Sequence, residues 1–451
     1  MNMLLEARCA HDRRWKQYPA YKDSGVEWLG VVPEGWDVKR LKYCAARINE
    51  KVDGRESNLP YTGLEHIESW TGRLTISEEI STSEGQSSRC EPGDVLFGKL
   101  RPYLAKVFRA KEHGICTGEL LVLRPKDVSQ DYLFSYMLAR DFISIVDSST
   151  YGAKMPRASW DFIGDLPVLL PSEAEQRAIA AFLDHETGRI DALIVKKERQ
   201  IGLLQEKRTA LISHAVTKGL DPNAPMRDSG VEWLGVVPEG WEIIRVKLLE
   251  GNDTSVVQTG PFGAQLHASD YLDDGVPLIL IRNVRDLKID ETGIPRVSEE
   301  DAERLSMYRL SIGDIVFSRV GSIGRIALCT EREKGWLISG QMLRLRIQNP
   351  RLDSKFSTYG FSSESVLTFV ELQSVGSTRE SINTDILRNM PIPIPPLPEQ
   401  RAIATFLDRE TGHIDILTTK VHESISKLRE YRTALISAAV TGKIDVRGDE
   451  T

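Results

Sequence analysis

The feature that most constrains this chain is a perfect internal repeat. The fourteen residues DSGVEWLGVVPEGW occur at positions 23–36 and return without a change at positions 228–241. An identity of this length is far beyond chance, so the chain carries two copies of one structural element. Its 451 residues are too many for one compact core, and a prior of roughly 150 residues per domain indicates about three units. Two domains with connecting elements fit that length.

A longer and less perfect repeat lies downstream of each copy. EQRAIAAFLDHETGRIDALIVKKERQIGLLQEKRTALISHAVT begins at Glu175, EQRAIATFLDRETGHIDILTTKVHESISKLREYRTALISAAVT begins at Glu399, and 28 of these 43 positions are identical. Both stretches are rich in helix-forming residues and contain no Pro, which predicts two long helices. Gly219 and Gly442 follow the two stretches and predict left-handed helix ends. Internal glycines at positions 188 and 412 leave open a kink or a break.

Apolar positions in both predicted helices alternate in steps of four and three, which is the period of a coiled-coil seam. The apolar members are Leu183, Ile190, Ile194, Ile201, Leu204 and Leu211 in the first stretch and Leu407, Ile414, Val421, Ile425, Leu428 and Leu435 in the second. A lone amphipathic helix would more often pack on its own domain, but two matching seams favour mutual packing. Arg208 and Arg432 also occupy seam positions, where they either set the register or point outward.

The connection between the repeats predicts how the two helices run. Residues 218–227 span at most ~35 Å when extended, whereas 43 helical residues reach roughly 65 Å. The chain cannot easily return before the second repeated block begins. We therefore expect an antiparallel pair and internal pseudo-two-fold symmetry.

Residues 37–170 and 242–395 differ from each other except at a few landmarks. EPGDVLFGKLRPYLAKV corresponds to SIGDIVFSRVGSIGRIAL, and TGELLVLRP corresponds to SGQMLRLRI. Alternating β-branched and aromatic residues with frequent Gly and Pro predict two α+β units. GDVLFGKL nearly matches a phosphate-binding loop, but Leu100 replaces the Ser or Thr that would hold Mg²⁺. We interpret it as a strand entered through a Gly-Asp turn.

The formal net charge is −7, so any contact with nucleic acid must be local. Basic side chains with interleaved aromatics mark two segments of the first unit, and Arg, Gln and Gly cluster in three segments of the second. The predicted DNA-binding residues are Lys99, Arg101, Tyr103, Lys106 and Arg109, then Tyr151, Lys154 and Arg157, and in the second unit Gln258, Thr259, Gly260, Gly263, Arg319, Arg325, Ser377 and Arg379. Each of these residues has an ordinary surface or turn role as its alternative.

No motif for catalysis or metal binding stands out in the sequence. The chain lacks N-P-P-[YF], G-x-S-x-G and H-E-x-x-H motifs, and we predict no catalytic residue and no metal site. Five scattered cysteines without a C-x-x-C pair fit a reducing compartment. No run of about twenty apolar residues predicts a membrane span. We expect a cytoplasmic protein.

Taken together, these motifs resemble the specificity subunit of Type I restriction-modification systems. The resemblance rests on YKDSGVEWLGVVPEGW, on LPVLLPSEAEQRAIAAFLD and RTALISHAVTKG, on QTGPFG and GSTRESIN, and on PIPIPPLPEQRAIATFLD and RTALISAAVTGKID. It covers nearly the whole chain from Tyr21 to Asp445. The first unit has no counterpart of GPFG.

The resemblance implies an α+β fold with two target-recognition domains separated by two antiparallel spacer helices. It divides the chain into an N-terminal extension (1–20), a first recognition domain (21–170), a central spacer helix (171–218), a linker and second recognition domain (219–395), a distal spacer helix (396–445) and a tail (446–451). Each domain would read one half of a bipartite site in double-stranded DNA.

The resemblance also implies the partners. Two methyltransferase subunits would dock on the spacer helices and the repeated blocks, and restriction subunits would join them. No cofactor is expected on this chain, because S-adenosylmethionine, ATP and Mg²⁺ would be bound by the partner subunits, where catalysis would take place. Two alternatives stay open, namely an autonomous site-specific endonuclease and a non-catalytic coiled-coil scaffold for protein partners.

Overall fold

The computed structural model describes residues 15–55, 57–75, 85–152, 154–249, 257–261, 265–285, 287–319, 325–347, 349–374 and 382–447. The chain forms two compact units, of which the first comprises Met1–Glu198 with His422–Thr451 and the second comprises Arg199–Val421. Each unit contains one copy of the repeated block, one α+β domain and part of both long helices.

The first unit combines short helices with small sheets. Its helices are α1 (Leu41–Cys44), α2 (Gln130–Met137), α3 (Arg140–Ser148), α4 (Trp160–Asp165) and the first part of α5 (Glu173–Lys218). Its strands are β1 (Tyr21–Asp23), β2 (Val31–Pro33), β3 (Asp37–Arg40), β4 (Ala45–Ile48), β5 (Lys51–Asp53), β6 (Tyr61–Thr62), β7 (Gln86–Cys90), β8 (Val95–Gly98), β9 (Val107–Arg109), β10 (Gly114–Thr117), β11 (Leu120–Pro125) and β12 (Pro167–Leu170).

The second unit also combines short helices with small sheets. Its strands are β13 (Met226–Asp228), β14 (Val236–Pro238), β15 (Glu242–Arg245), β16 (Val257–Thr259), β17 (Val276–Ile279), β18 (Val284–Arg285), β19 (Lys288–Ile289), β20 (Arg296–Val297), β21 (Ile315–Ser318), β22 (Ile326–Leu328), β23 (Leu337–Ile338), β24 (Met342–Leu345) and β25 (Pro391–Ile394). Its helices are α6 (Glu299–Arg304), α7 (Ser354–Phe361), α8 (Glu364–Ser374), α9 (Thr384–Asn389) and most of α10 (Leu397–Val440), which ends in the first unit.

The main sheets of the two units have the same strand order. In the first unit the order is β4-β11-β8-β9, and in the second it is β16-β24-β21-β22, with antiparallel neighbours throughout. Each unit also contains a second sheet with one parallel pair, β6 with β10 and β17 with β23. The predicted α+β fold with two long helices is confirmed, and the landmark matches between the units correspond to equivalent strands.

Each repeated block packs on the end of a long helix. In the first unit, Trp36 is 1% exposed, and a Cβ atom added to Gly442, just past α10, would overlap Pro33. In the second unit, Trp241 is 2% exposed and lies beside Gly219, just past α5. Both glycines have positive φ angles, +72° and +77°, as the sequence predicts. The repeat therefore builds the same helix-end contact twice.

The two long helices run antiparallel within each unit. In the first unit, Asp191 of α5 pairs with Arg432 of α10 at 3.0 Å, and Glu198 of α5 pairs with Arg429 of α10 at 3.1 Å. The residue numbers along α5 therefore increase in the direction in which those along α10 decrease. In the second unit, Arg208 of α5 pairs with Asp415 of α10. Arg208 and Arg432 thus join the two helices rather than point outward.

Most of the predicted seam residues are buried. Nine of the twelve are buried, namely Leu183, Ile190, Ile194, Ile201, Leu407, Ile414, Val421, Ile425 and Leu435, and Leu204, Leu211 and Leu428 are half-buried. Both helices continue through the glycines at positions 188 and 412, so the break that the sequence leaves open is absent there. No helix of the described residues is long and apolar enough to cross a membrane.

Candidate nucleic-acid interface

A buried aspartate fixes the base of the candidate site in each unit. In the first, the Asp94 carboxylate accepts hydrogen bonds from Arg124 Nε (2.9 Å) and Nη2 (3.0 Å). In the second, Asp314 accepts from Arg346 Nε (2.8 Å) and Nη2 (2.7 Å). Both aspartates are 1% exposed, and each accepts a further hydrogen bond from a backbone N–H of its own turn. These bidentate pairs hold the strand that leads into the site.

The turn before that strand matches the sequence prediction. Gly93 and Gly313 have φ angles of +91° and +87°, which suits glycine rather than a residue with a side chain. The GDVLFGKL segment continues as strand β8, and a 3₁₀ turn at Pro102–Leu104 follows it. A strand entered through a Gly-Asp turn is therefore confirmed.

The structure brings together the two basic segments of the first unit, which lie about fifty residues apart in the sequence. Lys99 O accepts a hydrogen bond from Ala158 N (3.0 Å), and Arg101 N donates to Pro156 O (2.8 Å). Arg157 binds Glu119 through Nε and Nη2 at 3.0–3.2 Å, and this hydrogen bonding raises the pKa of its guanidinium. The two segments form one surface.

That surface presents an exposed turn, which we define as residues 101–105. Arg101 and Ala105 flank the 3₁₀ turn in the left-handed region, with φ angles of +50° and +45°. Arg101 is exposed, and Tyr103 is 47% exposed. Beside them, Tyr151 is 65% exposed and Lys154 is exposed. Cationic and aromatic side chains on a strained backbone are typical of a binding surface for nucleic acid.

Two other predicted residues of the first unit have internal partners. Lys106 Nζ donates to the Leu64 carbonyl oxygen at 2.5 Å, and Arg109 forms an ion pair with Asp131. Lys99 is half-buried. A DNA contact by any of these residues stays a prediction, and the most exposed members of the set lie on the turn and around Tyr151.

The second unit repeats the arrangement with different side chains. Arg319 N donates to Gln341 O (2.9 Å), as Lys99 N donates to Glu119 O (3.0 Å) in the first unit. Arg319 O accepts from Ile382 N (3.0 Å), which corresponds to the bond between Lys99 and Ala158. Ile382, near the end of the GSTRESIN segment, therefore occupies the same position in the second unit as Ala158 of TYGAKMPRAS does in the first. The sequence alone did not show this equivalence, because the two segments share almost no residues.

Arg325 corresponds to Lys106. Its Nη1 donates to the Ile281 carbonyl oxygen at 3.3 Å, and Ile281 begins a 3₁₀ turn as Leu64 does in the first unit. Both cations thus brace an equivalent turn. Three predicted residues, Gly263, Ser377 and Arg379, lie outside the described residues.

Gln258, Thr259 and Gly260 lie at the edge of the second unit's main sheet. The Gln258 side-chain oxygen accepts from Nη2 of Arg344 at 2.5 Å, and Arg344 is 2% exposed. A Cβ atom at Gly260 would overlap the carbonyl oxygen of Ser339. The glycine is therefore required by the close backbone approach, and the buried arginine sets the orientation of Gln258. Thr259 is half-buried in strand β16.

Sequence reasoning missed the two Asp–Arg pairs. Both landmark pairs align an Asp after Gly and an Arg near the end of the second landmark, but the pairing of that Asp with that Arg depends on strand register, which the alignment does not give. Within the described residues, no group of three or more His, Cys, Asp or Glu side chains is placed to hold a metal ion.

The fold defines a class: a duplicated α+β domain with two long helices, in which the main sheets of the two copies have the same strand order. Residues 269–427 match the family model described as "Type I restriction modification DNA specificity domain". Over these residues the chain is similar to that family.

Its relatives resemble it over most of their length. It is 24% identical to the Type I restriction enzyme MjaVIII specificity subunit of Methanocaldococcus jannaschii, covering 92% of this chain and 94% of that protein. It is 20% identical to the EcoBI specificity subunit of Escherichia coli, covering 78% and 74%. A chain from a solved structure on complex assembly of the type I R-M system matches with a TM-score of 0.67 and 19% identity, over 91% of this chain and 98% of that one. This last likeness shows the fold.

Proposed function

We propose that each unit reads one half of a bipartite DNA sequence, the first unit through the exposed turn and the segment that packs beside it. The observation that carries this proposal is the equivalence of the backbone hydrogen bonds of Lys99 and Arg319. The sequences that follow these two residues differ between the units. A frame that is kept while its exposed residues vary suits two readers of different half-sites.

Arginine and lysine on such turns supply phosphate contacts and bidentate contacts to guanine, and Tyr103 and Tyr151 offer flat apolar surfaces. The net charge of −7 is compatible with this role, because the proposed contacts are confined to two small surfaces and the partners supply further phosphate contacts.

We also propose that each unit docks one methyltransferase subunit, and that restriction subunits join this core. The related solved chain comes from a study of complex assembly in a type I R-M system. In this chain, Leu193 of α5 and Leu417 of α10 occupy equivalent helix positions and are 47% and 48% exposed. Val31 and Val236 of the identical hairpins are 61% and 46% exposed. Exposed apolar residues at equivalent positions suit two copies of one partner.

The chemistry is then carried out on other chains. S-adenosylmethionine would be bound by the methyltransferase subunits and ATP and Mg²⁺ by the restriction subunits, in the cytoplasm. The role of this chain is to choose the DNA sequence and to hold the catalytic subunits over it.

The test is to express the chain with its methyltransferase partner and to map every methylated adenine in the host DNA. A two-part sequence with a fixed gap is the expected result. Metal-dependent cleavage of DNA by the purified chain alone would instead support an autonomous endonuclease. Methylation or binding without sequence preference, with every partner present, would favour the scaffold.

The docking proposal has its own measurement. Leu193→Asp should reduce the number of bound methyltransferase subunits from two to one, and Leu193→Asp with Leu417→Asp should abolish binding, because a charge on the apolar contact opposes its burial. Mass photometry of the complex gives the stoichiometry. Two bound subunits in the double variant would show that the docking surface lies elsewhere.

A further inference from the structure

Arg432 joins three parts of the first unit. It lies on α10, its side chain is 8% exposed, and its Nε donates to Asp191 Oδ1 of α5 at 3.0 Å. Its two terminal nitrogens donate to carbonyl oxygens of the α+β domain, Nη1 to Trp70 at 2.8 Å and Nη2 to Thr71 at 3.4 Å. Burial lowers the pKa of this guanidinium, and Asp191 opposes that effect. One buried side chain therefore ties both helices to one loop, which we call the 68–73 loop.

The 68–73 loop is in direct contact with the exposed turn. Trp70 N donates to the carbonyl oxygen of Ala105 at 3.2 Å, and Ala105 ends the turn. Only two hydrogen bonds thus separate Arg432 from the backbone of the turn that presents Arg101 and Tyr103. The path runs from the helix pair through Trp70 to Ala105.

The backbone along this path is strained. Four non-glycine residues of the described chain have positive φ angles, and three of them are Trp70 (+67°) on the 68–73 loop and Arg101 (+50°) and Ala105 (+45°) at the two ends of the exposed turn. Such conformations persist in residues with side chains only where surrounding contacts enforce them, and they concentrate at functional sites. The contacts of Arg432 are among those that hold Trp70 in this conformation.

Polar contacts rather than close packing connect the 68–73 loop to the helices. A cleft of about 930 Å³ lies between the loop and the helices, lined by Trp70, Arg73, Asp191, Glu198 and Arg432 among others. Arg73 reaches across to Asp191 at 2.8 Å. An open cleft contributes little apolar packing, so on this side the connection of the loop to the helices depends on these polar bonds. On its other side the loop packs at Gly72 against Phe134.

The second unit offers a natural comparison. Leu287 lies six residues after Ile281, the first residue of a 3₁₀ turn, and Trp70 likewise lies six residues after Leu64. The φ angle of Leu287 is +63°. Leu287 packs against an apolar cluster that includes Leu407 and Phe356. Arg208, the equivalent of Arg432, pairs with Asp415, and no carbonyl oxygen of the described second unit accepts a hydrogen bond from it. The ion pair is therefore common to both units, whereas the bonds to the loop are special to the first.

We propose that Arg432 is a positioning residue for the first recognition surface, which sets the backbone of the exposed turn from the helix pair through the 68–73 loop. This inference rests on the proposed function, since it assigns Arg432 a role in reading one half-site. It assigns Arg432 no contact with DNA. The ion pair with Asp191 alone would give a structural role, and the bonds to Trp70 and Thr71 give the positioning role.

Arg432→Lys separates the two roles. A lysine keeps the charge next to Asp191 but lacks the planar fork that also reaches two carbonyl oxygens. The matched control is Arg208→Lys, which makes the same change at the equivalent ion pair of the second unit. A second variant, Gly72→Ala, disturbs the loop from the other side, because its Cβ atom would overlap the ring of Phe134 and glycine alone suits a φ angle of +72°.

The measurement uses the complex with the methyltransferase subunits and two DNA libraries, each randomised at one half-site. The half-site of the first unit is identified as the one whose profile changes in Arg101→Ala. Arg432→Lys should reduce discrimination at that half-site by about five- to tenfold, the effect of losing one or two charge-assisted hydrogen bonds. Gly72→Ala should reduce it at the same half-site, because the overlap with Phe134 displaces the same loop. Discrimination at the other half-site should stay within about twofold, as should both half-sites in Arg208→Lys.

The outcomes separate the two proposals. Wild-type complex without any sequence preference would refute the proposed function. Wild-type complex that reads two half-sites, together with an Arg432→Lys complex that matches Arg208→Lys at both, would refute the positioning role alone. Equal losses at both half-sites in Arg432→Lys would likewise reduce Arg432 to a structural residue. Thermal unfolding of each complex, measured in parallel, shows whether a loss of discrimination occurs in folded protein.

Discussion

At the residue scale, Asp94 and Asp314 show what a sequence can and cannot predict. The Gly-Asp turn was predictable, because Gly followed by Asp before an apolar run is a local signal. The arginine partners were not, because Arg124 lies thirty residues from Asp94 and reaches it only through the register of two strands. Long-range partners of this kind depend on strand pairing, which a single sequence does not specify uniquely. The same reason hid the contact of Lys99 with Ala158.

The buried pairs give the first stability prediction. Asp314→Ala should lower the free energy of unfolding by about 2–4 kcal/mol, because Arg346 and the N–H of Ser311 lose a buried acceptor. Asp94→Ala should act similarly in the first unit. Urea unfolding followed by circular dichroism measures the change. The matched exposed variant Glu331→Ala should change the free energy of unfolding by less than about 0.5 kcal/mol. Equal effects of the exposed and the buried changes would show that the buried Asp–Arg pairs do not stabilise the fold.

The buried thiols give a prediction about pH. Burial raises the pKa of Cys90 to about 11 and that of Cys116 and Cys329 to about 12. These thiols stay protonated at pH 8, so iodoacetamide should label their peptides only after unfolding. Since unfolded thiols ionise near pH 8.5, their contribution to stability is complete below that pH and should fall as the pH rises toward 11. Rapid labelling of these peptides in the native protein at pH 8 would contradict this burial.

At the element scale, the long helices follow from their composition and seam, and their ends follow from Gly219 and Gly442. The sequence leaves open the role of two arginines and the effect of two internal glycines, and packing decides both. Arg208 and Arg432 form ion pairs across the helices, and Gly188 and Gly412 are accommodated without a break. Intrinsic propensity disfavours glycine within a helix, but tertiary packing of the seam outweighs that preference.

Those internal glycines allow a stabilising change. A Cβ atom at Gly188 or Gly412 meets no other atom within 4 Å, so alanine at each position should raise the free energy of unfolding by about 0.5–1 kcal/mol. The control is Gly219→Ala, which should destabilise the protein because the φ angle there is +77°. Thermal denaturation compares the three variants. A loss of stability in both Gly188→Ala and Gly412→Ala would indicate that the helices need flexibility at these positions.

At the scale of the whole molecule, the internal repeat was the most informative signal. It predicted two long helices, and the fold confirms these. The contents of the two recognition surfaces were less predictable, since exposed loops are shaped by the strands that anchor them and carry no periodic pattern. Only the basic and aromatic composition near Arg101 and Tyr151 marked the surface of the first unit.

A ruler role for the helices is a further prediction at this scale. We propose that helix length sets the gap between the two half-sites. Four residues inserted into both α5 and α10 add about 6 Å at 1.5 Å per residue and should lengthen the gap recognised in the DNA. Mapping methylated adenines in a host that carries the extended protein measures that gap. An unchanged gap in an active complex would refute the ruler.

Exchanging the α+β domain of one unit tests most directly whether each unit reads its own half of the DNA sequence. Residues 37–170 are replaced by the equivalent segment of a relative with a different target, and methylated adenines are mapped with the same methyltransferase partner. One half of the methylated sequence should change while the other half and the gap persist. A methylated sequence in which both halves change, or in which neither does, would contradict it.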